Sequence, residues 1–360
     1  MFFSPLLLFS STLILGIVWQ AMGFMPWLAF PLIGIICIAF FAHHHRTLPI
    51  AALACCFFLA GALRYQQQKI NFDTCLQNIT NKACAVTATI TDIEPSYKKP
   101  GHTVITVAIE ELHQHHESIQ AAQGMVLKIA TKLPTAHLQA GDLVACPTLF
   151  LRACSNENYK RYLIKEHILG HVTSNRPFKV LKRPSYSLNR WLTNKRNSIL
   201  EHTSSAVSPR TFTLFASIFF GKKELSSEHM EPIKDQFKIW GILHYLARSG
   251  LHVLLFVILW SWLLSWVPIP FNAKQIVMAL LIMGYHILSW PSISFIRSIL
   301  LFLMYKLCLL RDLQINTLHL LSLVCITILL INPFQLFFLD FQLSFGLTFA
   351  LAWLTTLQKY

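Results

Sequence analysis

The sequence predicts a polytopic α-helical membrane protein with an inserted external β domain that fits a small OB-like barrel. Three observations lead there. Hydrophobic residues fill 54% of the 360 positions and charged ones only 13%, about half of what a soluble chain carries. Long apolar runs lie on both sides of a central stretch in which they shorten and β-branched alternation takes over. Lys and Arg number 30 against 16 Asp and Glu, a net +14 with histidine neutral, which suits an anionic partner such as lipid headgroups or nucleic acid. Disorder, collagen and coiled coil are excluded on the same grounds, and a purely soluble enzyme does not fit.

Residues 1–64 hold three expected membrane helices, Pro5–Trp19, Trp27–Phe41 and Leu48–Leu63, each slightly short of the ~20 residues a straight span needs. The chain start lacks the basic n-region and small-residue cleavage site of a signal peptide. Only the second connection is titratable, at His43-His44-His45-Arg46. The positive-inside rule places that loop in the cytoplasm, so the third helix exits on the outer side.

Residues 65–184 form the expected external domain. Strands are predicted at Ala85–Ile93, Thr103–Leu112, Met125–Lys132, Asp142–Arg152 and His167–Ser174, bounded by turns such as Lys99-Pro100-Gly101 and Ala140-Gly141-Asp142. A helix at Glu157–Lys165 separates the last two. Five strands so arranged fit an OB-like barrel, and other small β folds fit the pattern almost as well. Residues 185–210 follow as a linker, with an interfacial helix at Leu188–His202 that interleaves apolar and basic positions.

Residues 211–360 are a second membrane region. Phe212–Phe220 is too short to span and suits a re-entrant segment ending at Gly221-Lys222-Lys223. Apolar segments follow at Ile239–Val267, Ile276–Trp290, Ile293–Leu310, Ile315–Ile331 and Leu336–Leu357. With the β domain outside, the loops near Lys274 and Arg311 and the Lys359 end fall inside. Those at Pro291 and Asn332-Pro333 fall outside and carry no basic residue.

Cys37, Cys55, Cys56, Cys308 and Cys325 lie in apolar segments and read as packing residues. Cys75, Cys84, Cys146 and Cys154 all fall in the external domain, where an even number suggests one or two disulfides. In an OB barrel the first and fourth strands are neighbours, which would bring Cys84 near Cys146 or Cys154. No CxxC spacing or HxHxDH cluster is present, and no metal or cofactor site is expected. The histidines at 43–45, 113, 115 and 116 read as solvated loop residues.

Between Lys160 and Arg196 the basic residues Lys160, Arg161, Lys165, Arg176, Lys179, Lys182, Arg183, Arg190, Lys195 and Arg196 face a single acid, Glu166. Tyr159, Tyr162, Phe178, Tyr186 and Trp191 are interleaved with them. Cations release counterions from phosphate and aromatic faces stack on unpaired bases, so this composition suits single-stranded nucleic acid. By composition alone, a polybasic segment on anionic lipid suits it better.

Polar groups stud the second membrane region. His244, Arg248 and His252 recur every four residues and share one helical face. An Arg at bilayer depth costs at least ~2.5–3.5 kcal/mol, which points to a pathway, a buried pair or a water-filled cavity. His286, Arg297, Lys306, Asp340, Gln342 and Ser344 also lie within apolar segments, with Asp340 the evident counter-ion for Arg248 or Arg297. A metal site on the stripe fails, because His244 and His252 stand about 12 Å apart along a helix. An intramembrane hydrolase with Ser249 as nucleophile and His252 as base has the right i, i+3 spacing but neither an evident acid nor an oxyanion loop.

Phe219-Phe-Gly221-Lys-Lys-Glu-Leu225 and Gly241-Ile-Leu-His244-Tyr-Leu-Ala-Arg-Ser249-Gly250-Leu-His252-Val resemble the competence domain of ComEC-type DNA uptake channels. Pro291-Ser-Ile-Ser-Phe-Ile-Arg297, Asn332-Pro333 and Phe341-Gln342-Leu343-Ser344-Phe345 resemble later landmarks of that family. The resemblance implies passage of single-stranded DNA across a bacterial inner (plasma) membrane during natural transformation. The OB-like domain, in the 65–210 region on the outer side, would receive the strand on Lys160, Arg161, Lys165, Arg176, Lys179, Lys182 and Arg183. It carries His244, Ser249, Gly250, His252, Arg297, Gln342 and Ser344 over as channel-lining residues. Arg248 and Asp340 occupy positions the family more often fills with small or apolar residues, which suggests a private salt bridge.

The family continues through further helices and often a metallo-β-lactamase-like domain, so the channel region at 211–360 is expected to be C-terminally truncated. No P-loop is present, so a separate cytoplasmic motor or other competence proteins would drive transport. Anionic lipid is a further expected partner, and a homo-oligomer is compatible with the reading. The alternatives are the Ser249/His252 hydrolase and a non-transporting remnant of such a channel.

Overall fold

The computed structural model describes residues 5–24, 48–80, 82–95, 102–114, 117–118, 122–135, 137–151, 156–174, 176–221, 232, 235–241, 250–290, 292–314 and 316–358. It divides into a helical unit, Met1–Gln67 with Ala247–Tyr360, and a sheet unit, Gln68–Leu246. The expected second helix Trp27–Phe41, the histidine loop, Cys37 and Cys154 lie outside the described residues.

Helix α1 spans Pro5–Ala21 and α2 spans Leu48–Ile79. The expected third helix ends at Leu63, whereas α2 continues for 16 more residues, 32 in all. No glycine or proline follows Gly61 before Ile79, so nothing breaks the helix. A new apolar stripe of Phe72, Cys75 and Ile79, each at most 2% exposed, gives the extension a core to pack on.

Within the helical unit α1 lies close against the first half of α2. A Cβ on Gly16 would run into the Phe58 carbonyl, and one on Gly61 into the Leu13 carbonyl. Two glycines thus allow backbone-to-backbone approach, the usual device where apolar helices must meet closely. Phe9 stacks on Phe57 with ring centroids 5.2 Å apart.

Helices α6 (Gly250–Ser265), α7 (Phe271–Leu288), α8 (Ile293–Leu310), α9 (Thr317–Ile331) and α10 (Leu339–Leu357) complete this unit. Helices α7 and α8 have 18 residues each with mean hydropathy 1.3 and 1.9, long and apolar enough to cross a membrane; at ~1.5 Å per residue each reaches about 27 Å. The expected Leu336–Leu357 segment is divided at Phe338 between a short 3₁₀ turn, Pro333–Phe337, which follows Asn332, and α10. That corner holds α2: Arg64 Nε donates to the Leu330 carbonyl at 3.0 Å, and Tyr65 stacks on buried Phe334 with centroids 4.6 Å apart. Val253, Met278, Ile282, Phe295 and Ile299 form the core joining α6, α7 and α8.

The sheet unit contains β1 (Ala83–Pro95), β2 (Thr103–Gln114), β3 (Glu117–Ser118), β4 (Val126–Thr131), β5 (Leu143–Phe150), β6 (Ile168–Thr173) and β7 (Lys179–Lys182). All five predicted strands are present, and the short β3 and β7 are additions. The described pairings run β6-β4-β2-β1-β5-β7, with β3 beside β2. The β4/β6 pair is parallel and every other pair antiparallel. Alternate residues Ile105, Val107 and Ile109 of β2 and Leu127 and Ile129 of β4 are at most 1% exposed, as the two-residue strand period requires.

Helix α3 covers Glu157–Lys165 as predicted, started by Asn156, whose side chain accepts from the Asn158 and Tyr159 N–H groups. Helix α4 runs Leu188–Ala206, one turn beyond the predicted Leu188–His202. The predicted short run at 212–220 becomes α5, Pro209–Phe215, and a π turn, Ala216–Phe220, closed by Gly221 at φ +74°; that left-handed backbone is one glycine adopts at little cost.

Candidate functional site

The helical unit carries two cations on α8. Phe295 and Ile299 face the α6–α7 core. Arg297, two residues from each, is turned about 200° away, onto α10. Its Nη1 donates to the Thr348 hydroxyl, and its guanidinium carbon lies 5.6 Å from the Phe345 ring centroid. Thr348 in turn donates to the Ser344 carbonyl at 2.7 Å. The Arg297 Nε–H and the Ser344 hydroxyl are buried with no hydrogen-bond partner among the described residues. Gly250, at the start of α6, completes the cluster. A Cβ there would meet the Ser298 hydroxyl and come within 3.8 Å of Arg297 Nη2, so α6 and α8 pack closely at this point.

Lys306 lies nine residues further along α8, about 13 Å away and on the opposite face. It donates to Gln275 of α7 and sits 5.0 Å from the Phe302 and 5.7 Å from the Tyr305 ring centroid. Among the described residues neither cation has a carboxylate partner.

This differs from the expected Arg297–Asp340 pairing. Asp340 is exposed in the first turn of α10, eight residues or about 12 Å before Thr348, and a guanidinium seated on Thr348 does not reach it. The helix N-terminus is favourable for the carboxylate in its own right. Gln342 donates from Nε2 to the Leu336 carbonyl at 2.9 Å, tying α10 to the preceding 3₁₀ turn. His252 is half-buried on α6. His244, Arg248 and Ser249 lie outside the described residues, and with them the Arg248–Asp340 pair and the Ser249/His252 dyad.

In the sheet unit several expected DNA-contacting cations meet carboxylates. Lys160 Nζ lies 2.7 Å from Asp73 of α2, and Lys165 Nζ lies 3.4 Å from Glu166. Arg183 grips Asp142, with Nη2 at 2.8 Å and Nε at 3.1 and 3.2 Å from its oxygens. Arg190 Nη2 joins from α4 at 2.6 Å. Asp142 is fully buried. Burial alone would raise its pKa, but the Arg183 and Gln139 hydrogen bonds and the two guanidinium charges outweigh that and hold the carboxyl below its usual range. The basic run does not announce this clamp; its only sequence signal is an acid directly after the Ala140-Gly141 turn. Arg176, Lys179 and Lys182 are exposed and Arg161 is half-buried.

The aromatics divide as well. Phe178 is 7% exposed and belongs to the core, so it presents no stacking face, whereas Tyr159, Tyr162, Tyr186 and Trp191 are exposed. Tyr159 and Tyr162 lie near-parallel with centroids 6.2 Å apart, and His171 of β6 extends the row at 6.4 Å from Tyr159.

The expected disulfides do not form among the described residues. Cys75 and Cys84 are free thiols, and both lie buried with Cys146 in the sheet core. On the β1/β5 ladder Cys84 opposes Leu149 and Cys146 opposes Val86, so these two cysteines are offset along the strands. Burial, with a smaller push from the neighbouring Cys84, raises the Cys75 thiol to about 11.

Residues 218–360, which contain α6 to α10 and the Arg297 cluster, match the family model described as Competence protein. A further 25% identity over 196 residues links the chain to ComE operon protein 3 of Bacillus subtilis (strain 168), covering 54% of this chain and 24% of that protein. The matched stretch thus spans about a quarter of the curated relative. Both findings agree with the ComEC-type resemblance carried by the SGLH and FQLSF runs. No solved structure matches the chain.

Proposed function

We propose that this chain is a channel component that passes single-stranded DNA through the bacterial inner membrane during natural transformation. The observation that carries the proposal is Arg297: a guanidinium within apolar helices of the competence region, held by a hydroxyl and a ring rather than an acid. A cation kept at such a cost suits an anion that arrives and leaves, and the phosphate backbone of a strand is one. Gly250, Ser298, Ser344 and Thr348 surround it with small and hydroxyl groups, as a wet path requires.

On this reading the helical unit is multi-pass and the sheet unit stands on the outer side to receive the strand. The parallel β4/β6 pair and the β1-centred order support an OB-like domain, whose strand face and adjoining loops commonly bind oligonucleotides. His244, Ser249 and His252 would line the same path, and a separate cytoplasmic motor would drive transport.

The test is cytoplasmic arrival of labelled DNA in cells with the gene deleted and in the same cells complemented by this chain. Uptake restored by the chain supports the proposal. Uptake that survives the deletion unchanged overturns it.

A further inference from the structure

We infer that Tyr162, Tyr159 and His171 form a stacking row for the unpaired bases of a nucleic-acid strand, with Lys128 beside it. The inference rests on the DNA reading above for the identity of the strand. Helix α3 buries Leu163 and Ile164 beneath it and is fixed by the Asn156 cap and by Lys160 on Asp73. Tyr159 and Tyr162, one turn apart, therefore stand on its outer side, 41% and 36% exposed. His171 points out from β6 between buried Gly170 and Val172 and continues the row, its ring within 28° of parallel to Tyr159. Lys128 of β4 is the register partner of His171, and Thr106 of β2 is the partner of Lys128. The row thus continues across the outward face of β6, β4 and β2.

The arrangement suits bases better than headgroups. Three near-parallel faces at similar spacing offer successive π surfaces, which a nucleobase uses and a phosphate does not. The core does not require the two tyrosines: Leu163 and Ile164 already bury the underside of α3. The neighbouring cation supplies the backbone attraction, which carries no base preference. His171 and Lys128 are 43 positions apart in the chain, so only the parallel β4/β6 pairing unites them.

The test uses the full chain in nanodiscs, with anisotropy titration of fluorescein-labelled oligothymidylate and of an abasic strand of equal length and charge. The wild type is expected to hold the thymidylate about tenfold or more tightly than the abasic strand, given typical base–aromatic stacking. Tyr159→Ala with Tyr162→Ala should remove that difference while leaving abasic binding unchanged, and Tyr159→Phe with Tyr162→Phe should retain it. Equal binding of the two strands by the wild type overturns the inference, as does an alanine pair that still prefers thymidylate. If equal binding occurs in a chain that restores uptake to deleted cells, the row is wrong and the uptake reading stands. If the stacking preference occurs in a chain dispensable for uptake, the row stands and the uptake reading is wrong.

Discussion

Replacing Asp142 by Asn tests whether the buried clamp holds the sheet unit to the start of α4. Asp142 is fully buried and receives Arg183 from the segment after β7 and Arg190 from α4. The same guanidiniums bind backbone carbonyls nearby: Arg183 Nη2 donates to His137 at 2.6 Å, Arg190 Nε to Ala140 at 3.2 Å and Arg190 Nη1 to Pro184 at 3.0 Å. Gly141, at φ +86°, leaves room for the Ser187 side chain that caps α4. Asn keeps the shape and removes the charge. Breaking a buried pair by deleting one partner costs about 3–5 kcal/mol. Arg183 is 45% exposed and is rehydrated in the variant, while Arg190 at 17% is not, so the low end, about 3 kcal/mol, is expected. The assay is hydrogen exchange of the β5 and α4 amides in the detergent-solubilised chain, with urea unfolding as a second measure. Arg190→Ala should cost more than Arg183→Ala. A variant Asp142→Asn within about 0.5 kcal/mol of wild type, or the reverse order of the two arginines, would show that the clamp does not hold α4.

The same carboxyl sets an acid limit. Its folded pKa is depressed, so its contribution is present above the unfolded value of about 3.9 and is lost as pH falls through the folded one. The urea midpoint of the wild type should therefore drop more steeply below about pH 4 than that of Asp142→Asn, and parallel curves would contradict this. Gly61→Val should cost at least ~1–3 kcal/mol by overpacking against the Leu13 carbonyl, seen as protease sensitivity of α1 and α2, whereas Gly284→Ala, with open space around it, should be tolerated. Cys75, Cys84 and Cys146 are buried, and the Cys75 and Cys84 pKa values are raised by burial. They should stay unlabelled by maleimide in the native chain at neutral pH and react after denaturation, with mass spectrometry counting the adducts. Labelling blocked even after denaturation would mean a disulfide.

Much of this architecture is legible in the sequence because periodicity and caps are local. Ile293–Leu310 matches a helix to the residue because Ser292 caps it after Pro291, and the Glu157–Lys165 helix is fixed by Asn156 in the same way. The extension of α2 to Ile79 is hard to see because polar residues after Arg64 resemble a domain boundary, although their apolar stripe at Phe72, Cys75 and Ile79 is helical. Charge is where local reading fails. A run of basic residues gives no sign that Lys160, Lys165 and Arg183 answer to Asp73, Glu166 and Asp142, because two of those acids lie over 40 positions away. The Tyr159–His171 contact depends likewise on the turn that joins α3 to β6.

The two units use their cations in opposite ways, and the contrast bears on function. In the sheet unit Lys160, Lys165, Arg183 and Arg190 each have a carboxylate, and removing a partner there should cost stability. In the helical unit Arg297 and Lys306 have a hydroxyl, an amide and aromatic rings. On the multi-pass reading proposed above, a ring contact offsets about 0.5–2 kcal/mol against at least ~2.5–3.5 kcal/mol for a cation at bilayer depth, so folding alone would favour an apolar side chain there. Arg297→Met should therefore accumulate in membranes at wild-type level or above and lose DNA uptake, while Arg297→Lys should keep part of it. An Arg297→Met chain that is degraded would make the residue a fold element. One that accumulates and still takes up DNA would remove Arg297 from the path of the strand.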